Sequence, residues 1–161
     1  MLTGDTIEFI NLPFSTIAMI RIIAVGKIKE PFFRQGIEEF VQRIQKYAKL
    51  EILEIKDSTK EAEGEKHLRH VRDNPCIALD AKGKQYLSEE FAALLKKIEQ
   101  EGKHICFLIG SEKGLPHAVL QRADLVLSLS SMTFLHEMTR LILVEQLYRA
   151  ITIQKGLKYH K

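Results

Sequence analysis

The segment Leu127-Ser-Leu-Ser-Ser-Met-Thr-Phe-Leu-His136 leads from a short apolar strand into a long apolar helix. Its small and polar residues predict a loop, and the helix that follows over 136–151 is apolar on nearly every side. The chain then closes with Lys158-Tyr159-His160-Lys161. Because most C-termini fray and carry little chemistry, a phenol, an imidazole and two amines at this terminus predict a functional site built late in the fold.

Upstream of this segment, the periodicities of strands and helices alternate along the chain. Strands are predicted over 19–25, 50–55, 76–80, 104–109 and 125–129. Helices are predicted from Pro31 to Tyr47, over 60–71, from an N-cap at Ser88 to Gly102, from Pro116, and over 136–151. Five strands that alternate with helices predict an α/β fold, with a mostly parallel sheet flanked by helices.

Composition and length place residues 19–161 in a single globular domain. The chain has 161 residues, of which 45% are apolar and 28% charged, which suits one buried core and is short for two. Its net charge of +3 permits a polyanionic partner such as RNA without requiring one. No apolar stretch reaches the roughly 18 residues of a membrane span. Cys76 and Cys106 each lie in an apolar run, which predicts buried thiols in a cytoplasmic setting.

Residues 1–18 differ from the rest of the chain, since they contain no Lys or Arg but include two acids and a proline. A secretory signal needs a basic start and an uninterrupted apolar stretch, so we do not interpret the segment as one. We interpret it as an N-terminal extension, either poorly ordered or translated from a start codon assigned too early. Its β propensity leaves one alternative, an additional edge strand around 6–10.

Three strand ends are candidate ligand sites, because parallel α/β sheets bind ligands beyond the carboxyl ends of their strands. They follow Asp80, Ile109 and Leu129. The second reads Leu108-Ile-Gly-Ser-Glu-Lys-Gly-Leu-Pro116, which matches neither a phosphate loop nor a dinucleotide fingerprint. Taken alone, its glycines fit a tight strand-to-helix connection equally well, and the third junction alone is compatible with a solvated loop.

Three histidines receive non-catalytic interpretations. His67 and His70 lie three residues apart on a charged helix, where a metal would need further ligands, so we expect a solvated helix face and no metal site. His136 begins the last helix, where capping or packing is favoured over catalysis.

The two loops and the tail together resemble the RlmH family of SPOUT methyltransferases. The resemblance rests on Ile109-Gly110, Gly114-Leu115, Leu127-Ser-Leu-Ser-Ser-Met-Thr-Phe-x-His136, Arg140, Glu145-Gln-x-Tyr-Arg-Ala150 and Tyr159-His160-Lys161. It covers residues 19–161. Two positions depart from the family pattern, with Ser111 in place of a glycine and Leu135 in place of a proline. Ser111 fits if its φ is negative, because a positive φ would cost about 1–2 kcal/mol.

The resemblance implies a fold, a cofactor and a reaction. The C-terminal segment would thread through a loop to form a deep trefoil knot, and two chains would form a homodimer. The implied reaction methylates N3 of a pseudouridine in bacterial 23S ribosomal RNA, on the assembled ribosome, with S-adenosylmethionine as donor. The residues at the family's cofactor positions are Leu79, Gly110, Leu129, Ser130, Ser131, Met132, Thr133 and Phe134. Such small and apolar residues suit an adenine that is read by main-chain groups.

The tail and Arg140 on the last helix supply the remaining candidates, because methyl transfer needs alignment of donor and acceptor and the loss of one proton from N3. His160 is the candidate base, since imidazole titrates near neutral pH. Tyr159 is a candidate to stack on the target base, and Arg140 to stabilise negative charge or hold phosphate. The tail also carries lysines that would hold RNA backbone without specifying sequence, namely Lys155, Lys158 and Lys161.

The last helix has two interpretations. Its apolar residues from Met138 to Ile151 cover more than the single stripe needed to pack on one sheet. Either a second apolar surface forms the dimer interface, or the helix is central in the core.

Two other functions stay open at this point. One is a methyltransferase of the same fold that acts on another RNA base or on a ribose hydroxyl. The other is a non-catalytic ribosome-binding factor that has lost the cofactor, in which Ser111 and Leu135 would be the responsible changes.

Overall fold

The structure, a computed structural model, describes residues 19–161. The predicted extension over 1–18 and its alternative edge strand lie outside the described residues. The strands are β1 (Ile20–Val25), β2 (Leu50–Ile55), β3 (Cys76–Lys84), β4 (Ile105–Ile109) and β5 (Leu125–Leu127). The helices are α1 (Pro31–Gln45), α2 (Lys60–Val71), α3 (Ser88–Gln100), α4 (His117–Arg122) and α5 (His136–Gln154).

All five strands pair in parallel in the order β2-β1-β4-β3-β5, so the predicted α/β class is confirmed. Helices α1, α3 and α5 cover one face and α2 and α4 the other. Alternate strand residues therefore enter separate cores, with Ile22 on the first face and Ile23 on the second. Within the described residues, no helix is both long and apolar enough to cross a membrane.

Helix α5 lies between α1 and α3, and Leu143, Val144 and Leu147 on it are fully buried. Its central position in the core accounts for an apolar surface wider than one stripe, as the second of the two interpretations expects. Cys76 and Cys106 are buried and unpaired, which confirms the interpretation as buried thiols.

The predicted N-cap of α3 was wrong. Ser88 is the first residue of α3 rather than its N-cap, and the cap position is held by Leu87, which has no side-chain acceptor. The Leu87 N–H donates instead to Glu90 Oε2 at 2.8 Å, and the Ser88 hydroxyl donates to Gln146 Oε1 at 3.3 Å. Ser88 thus links α3 to α5.

The third strand runs four residues further than the sequence predicts, because it bends to follow β5. Its register with β5 shifts between Leu79 and Lys84. A side chain at Gly83 would lie 2.6 Å from the Val126 carbonyl oxygen, so only glycine permits this close approach. The path brings the loops after β3 and β5 together at one edge of the sheet. The trefoil knot that the resemblance implies stays a prediction.

The interpretation of His67 as part of a solvated helix face was wrong. His67 is fully buried between α2 and the sheet, whereas His70 is half-buried. Its Nδ1 lies 2.9 Å from the Glu63 carbonyl oxygen and its Nε2 lies 3.2 Å from the Ile109 carbonyl oxygen. The described residues contain no group of side chains suited to hold a metal ion. His67 therefore acts as a polar link between α2 and the end of β4.

His67 makes stability depend on pH. Burial lowers the pKa of His67 below the ordinary 6.5 and outweighs the two carbonyl oxygens, which act to raise it. The native state thus favours the neutral ring. The contribution of His67 to the free energy of unfolding is therefore complete above about pH 6.5, and it is lost as pH falls through the lower native pKa. We expect the urea midpoint of the wild type to drop between pH 7.5 and 5.5, and much less in His67→Gln.

Burial also lowers the pKa of His70, so a smaller slope should remain in that variant. The control is His117→Gln, which replaces an exposed histidine and should keep the wild-type profile. An unchanged slope in His67→Gln would contradict this role for His67.

Candidate active site

A cleft of about 670 Å³ opens at the carboxyl ends of β3, β4 and β5, beside the start of α5. Its volume lies in the range of small-molecule sites. Of the eight residues at the family's cofactor positions, seven line this cleft: Leu79, Gly110, Leu129, Ser130, Met132, Thr133 and Phe134. Ser131 belongs to the same loop but does not line the cleft. Residues from β3, from the loop after β4 and from the loop after β5 therefore meet at the edge where a parallel sheet binds ligands.

Gly110 allows the loop after β4 to fold back on itself. A Cβ atom at this position would lie 2.7 Å from the Gly114 carbonyl carbon and 3.0 Å from the Leu115 nitrogen. Ser111 and Gly114 form an isolated bridge, and Gly114 has a φ of +77° that favours glycine. The floor of the cleft is thus a tight turn with no space for a side chain at position 110.

Ser111 fits the turn, because in the described chain only Arg72 among non-glycine residues has a positive φ. Its hydroxyl donates to Glu63 Oε2 at 3.1 Å, and the other oxygen of that carboxylate accepts from the Ser58 N–H at 2.9 Å. The Glu63 residue is only 1% exposed, and Lys113 Nζ lies 3.8 Å from it. A buried carboxylate therefore anchors the loop through the side chain that departs from the family pattern.

Sequence reasoning missed the part that Glu63 plays in the site. On a charged helix, Glu63 resembles a solvated residue. Its spacing of four and eight residues from His67 and Val71, which are both buried, places all three on one helical face. This spacing is the sequence signal that could have placed Glu63 on the buried face of α2.

Leu135 adopts a backbone torsion that a proline could also adopt. It occupies the N-cap position of α5 with a φ of −56°, which lies within the range that proline adopts. Its carbonyl oxygen accepts from the Thr139 N–H at 2.9 Å. Leu135 itself is 69% exposed, so neither departure blocks the cleft.

The groups around the cleft suit an adenosyl ligand. Leu79, Met132 and Phe134 provide apolar walls. The backbone N–H groups of Thr133 and Phe134 donate to no acceptor among residues 19–161, so they are available to a ligand. S-adenosylmethionine fits this combination of apolar surface and free main-chain donors.

The C-terminal tail lies outside this cleft, against α5 and the start of α3. The Tyr159 hydroxyl donates to Glu145 Oε1 at 3.0 Å, and its ring packs edge-on against Tyr148 at 4.8 Å. Burial, followed by the bond to Glu145, raises the pKa of Tyr159. The structure brings Tyr159 and His160 together, but not next to the predicted cofactor residues of the same chain.

His160 is held from both sides of its ring. Its Nε2 lies 2.8 Å from Glu89 Oε1 on α3, and its Nδ1 lies 3.3 Å from Arg149 on α5. The hydrogen bond to His160 lowers the pKa of Glu89. The imidazole therefore has a defined orientation on the protein surface.

Arg140 is enclosed by the ends of β1 and β2 and does not lie beside the tail. Its side chain is 3% exposed, and it donates to Glu54 Oε2 at 2.8 Å and to the Gly26 carbonyl oxygen at 3.0 Å. The tail lysines, in contrast, are exposed, namely Lys155, Lys158 and Lys161. His136, the first residue of α5, lines the cleft.

The parallel sheet, with a cleft at its strand ends, places this protein among the α/β proteins that bind a ligand at that edge. Comparison with known proteins then gives its family. The protein-family model described as "Predicted SPOUT methyltransferase" matches residues 18–160 of this chain. The chain belongs to the SPOUT methyltransferase family, which confirms the resemblance seen in the sequence.

Three curated relatives, each named ribosomal RNA large subunit methyltransferase H, are similar over nearly their whole length. The protein from Desulfotalea psychrophila is 46% identical over 87% of this chain and 97% of its own. The one from Bacillus pumilus is 45% identical, with coverages of 88% and 99%. The one from Caldicellulosiruptor saccharolyticus is 40% identical, with coverages of 89% and 100%.

The fold also matches a solved structure, that of a probable methyltransferase from Bordetella pertussis Tohama I. The TM-score is 0.51 over 83% of this chain and 96% of that chain, with 12% identity. At this identity the match supports the fold alone.

The Gly110→Ala variant tests whether the cleft holds S-adenosylmethionine. The added methyl group would meet the backbone of Gly114 and Leu115 and displace the floor of the cleft. We expect calorimetric titration to give an affinity about 10- to 100-fold weaker, equivalent to the roughly 1–3 kcal/mol cost of overpacking.

The control for this titration is Gly102→Ala. Gly102 has a φ of +68° and no atom within 4 Å of its Cβ position, so alanine strains the backbone there without touching the cleft. We expect the control to lose stability but to bind normally. Equal affinities for the wild type and Gly110→Ala would contradict the cofactor assignment.

Proposed function

We propose that the protein transfers a methyl group from S-adenosylmethionine to N3 of a pseudouridine in the 23S RNA of the large ribosomal subunit. The observation that carries this proposal is the meeting of seven predicted cofactor residues in one cleft of a SPOUT methyltransferase. The names of the curated relatives support ribosomal RNA as the substrate. The resemblance to the RlmH family implies that the substrate is the assembled ribosome.

The cofactor, when bound, supplies a methyl group already activated on a sulfonium. The chain therefore has two tasks, to align the target nitrogen with that methyl group and to manage one proton. The tight turn at Gly110 and the loop over 129–134 bind and orient the cofactor in this proposal. The buried Glu63 keeps the turn in place through Ser111.

The proton on N3 has to leave because the neutral imino nitrogen is a poor nucleophile. His160 is the proposed base, and its ring has to leave Glu89 or Arg149 so that one ring nitrogen can accept the proton. Tyr159 is the proposed stacking partner of the target base. Both lie away from the cleft of their own chain, which supports a homodimer in which the tail of one protomer completes the cleft of the other. The same arrangement would bring the tail lysines to the RNA backbone, namely Lys155, Lys158 and Lys161.

Arg140 receives a different part in this proposal from the one expected from the sequence. Its guanidinium is already paired with Glu54 and with the Gly26 carbonyl oxygen. We assign it to holding the loop after β1 in position, so that its charge acts through that loop rather than by direct contact with phosphate.

The alternative of a non-catalytic factor depended on Ser111 and Leu135. Both residues leave the cleft open, since Ser111 has no positive φ and Leu135 adopts a φ that suits proline. A methyltransferase for another RNA position is distinguished by its product. The buried free thiols of Cys76 and Cys106 support a cytoplasmic location.

The His160→Gln variant tests the proposed base. General-base catalysis contributes about 10²–10⁴-fold, so we expect kcat for methyl transfer to ribosomes to fall by that factor. The affinity for S-adenosylmethionine should stay near the wild-type value, because His160 does not line the cofactor cleft. Labelled methyl incorporation and calorimetry measure the two quantities.

His117→Gln is the matched control and should retain full turnover, since His117 is exposed on α4 and lines neither the cleft nor the tail. Turnover of His160→Gln at the wild-type rate would remove His160 from the mechanism.

A further inference from the structure

A second cleft, with a volume of about 620 Å³, adjoins the proposed cofactor cleft at the carboxyl ends of β1 and β2. The two share a wall made of Ser111, Glu112 and His136. The rest of the second cleft is lined by Val25, Gly26, Lys27, Lys29, Glu54, Ile55, Lys56 and Asp57. Nothing in the proposed mechanism so far uses this space.

The floor of the second cleft is held by several side-chain contacts. Arg140 donates to the Gly26 carbonyl oxygen at 3.0 Å, and Arg34 donates to the Ile28 carbonyl oxygen at 2.7 Å. The Lys29 N–H donates to the carboxylate of Glu137. Glu137 and Arg140 are both buried on α5, the helix that begins at the shared wall. The loop over 26–30 is therefore fixed relative to the proposed cofactor cleft.

The charge of the second cleft is positive because most of its acids are already paired. Glu54 pairs with Arg140 at 2.8 Å, and Asp57 pairs with Lys113 at 3.4 Å. The cleft also carries three exposed lysines whose ammonium groups have no carboxylate within 4 Å in the described chain, namely Lys27, Lys29 and Lys56. Of the lining acids, only Glu112 is without a cationic partner in residues 19–161. Three free ammonium groups around a cleft of this size suit an anionic nucleotide.

We propose that the second cleft binds the RNA nucleotide that carries the target base, with Lys27, Lys29 and Lys56 contacting its phosphates. This inference rests on the proposed function. Because both clefts are lined by Ser111, Glu112 and His136, a base in the second cleft lies next to the proposed cofactor cleft, as direct transfer requires. The same ammonium groups favour the N3 anion, because nearby positive charge lowers the pKa of an acidic N–H group.

The test replaces the three lysines together, as Lys27→Gln, Lys29→Gln and Lys56→Gln. The binding probe is the unmethylated ribosome, titrated into fluorescently labelled protein and followed by fluorescence anisotropy between 50 and 200 mM salt. We expect the slope of log affinity against log salt to fall by about three, because each phosphate contact contributes about one. We also expect KM for ribosomes to rise about tenfold or more, with the affinity for S-adenosylmethionine unchanged.

A matched control removes the same charge elsewhere, as Lys66→Gln, Arg69→Gln and Lys97→Gln. None of these side chains lines either cleft, belongs to the tail or has a carboxylate within 4 Å in residues 19–161. The control should keep the wild-type salt slope. An equal loss in the control would mean that total charge alone matters, which overturns the proposal.

Two further outcomes separate this inference from the proposed function. Wild-type RNA affinity in the Lys27, Lys29 and Lys56 variant overturns the inference, as does an absence of RNA binding by the wild type. If RNA binding depends on these lysines but no methyl group reaches the ribosome, the cleft assignment stands and the proposed function fails.

Discussion

The buried guanidinium of Arg140 holds the loop after β1 and the end of β2 against the last helix. It joins α5, which begins at the proposed cofactor cleft, to Glu54 at the end of β2 and to the Gly26 carbonyl oxygen after β1. Removing one partner of a buried ion pair typically costs about 3–5 kcal/mol, and less when one side is partly solvated as Glu54 is. The contact fixes the position of the second cleft relative to the first.

A second buried charge performs a similar task on the other face of the sheet. Glu63 reaches from α2 to Ser111 and to the backbone of Ser58, and His67, one turn later, reaches the end of β4. Burial of such groups is favourable only when their polar atoms are satisfied. Both therefore hold their loops in one conformation, which suits a site that must align a methyl group with a single nitrogen atom.

The elements of this fold follow from hydrophobic periodicity, and most of their ends could be predicted to within a few residues. The interpretation of His67 was wrong, because periodicity reports apolar faces and a buried polar residue on a charged helix looks the same as a solvated one. The end of β3 was placed four residues too early because no hydrophobic periodicity marks the segment after Asp80, where Gly83 permits close contact with the backbone of Val126.

The candidate cofactor site could be located because its loops follow three neighbouring strands, and such loops meet at one edge of a parallel sheet. The positions of Tyr159 and His160 could not be predicted in the same way. They depend on how the last residues fold back over α5, where Glu145 and Arg149 hold them, and no local pattern encodes that path.

In the proposed reaction, this cleft holds the methyl donor for transfer to N3 of a pseudouridine. The most direct measurement treats unmethylated ribosomes with the protein and isotopically labelled S-adenosylmethionine, then identifies the labelled nucleoside in the digested 23S RNA by mass spectrometry. We expect N3-methylpseudouridine at a single position. A label on a ribose hydroxyl or on another base, or no label at all, would contradict it.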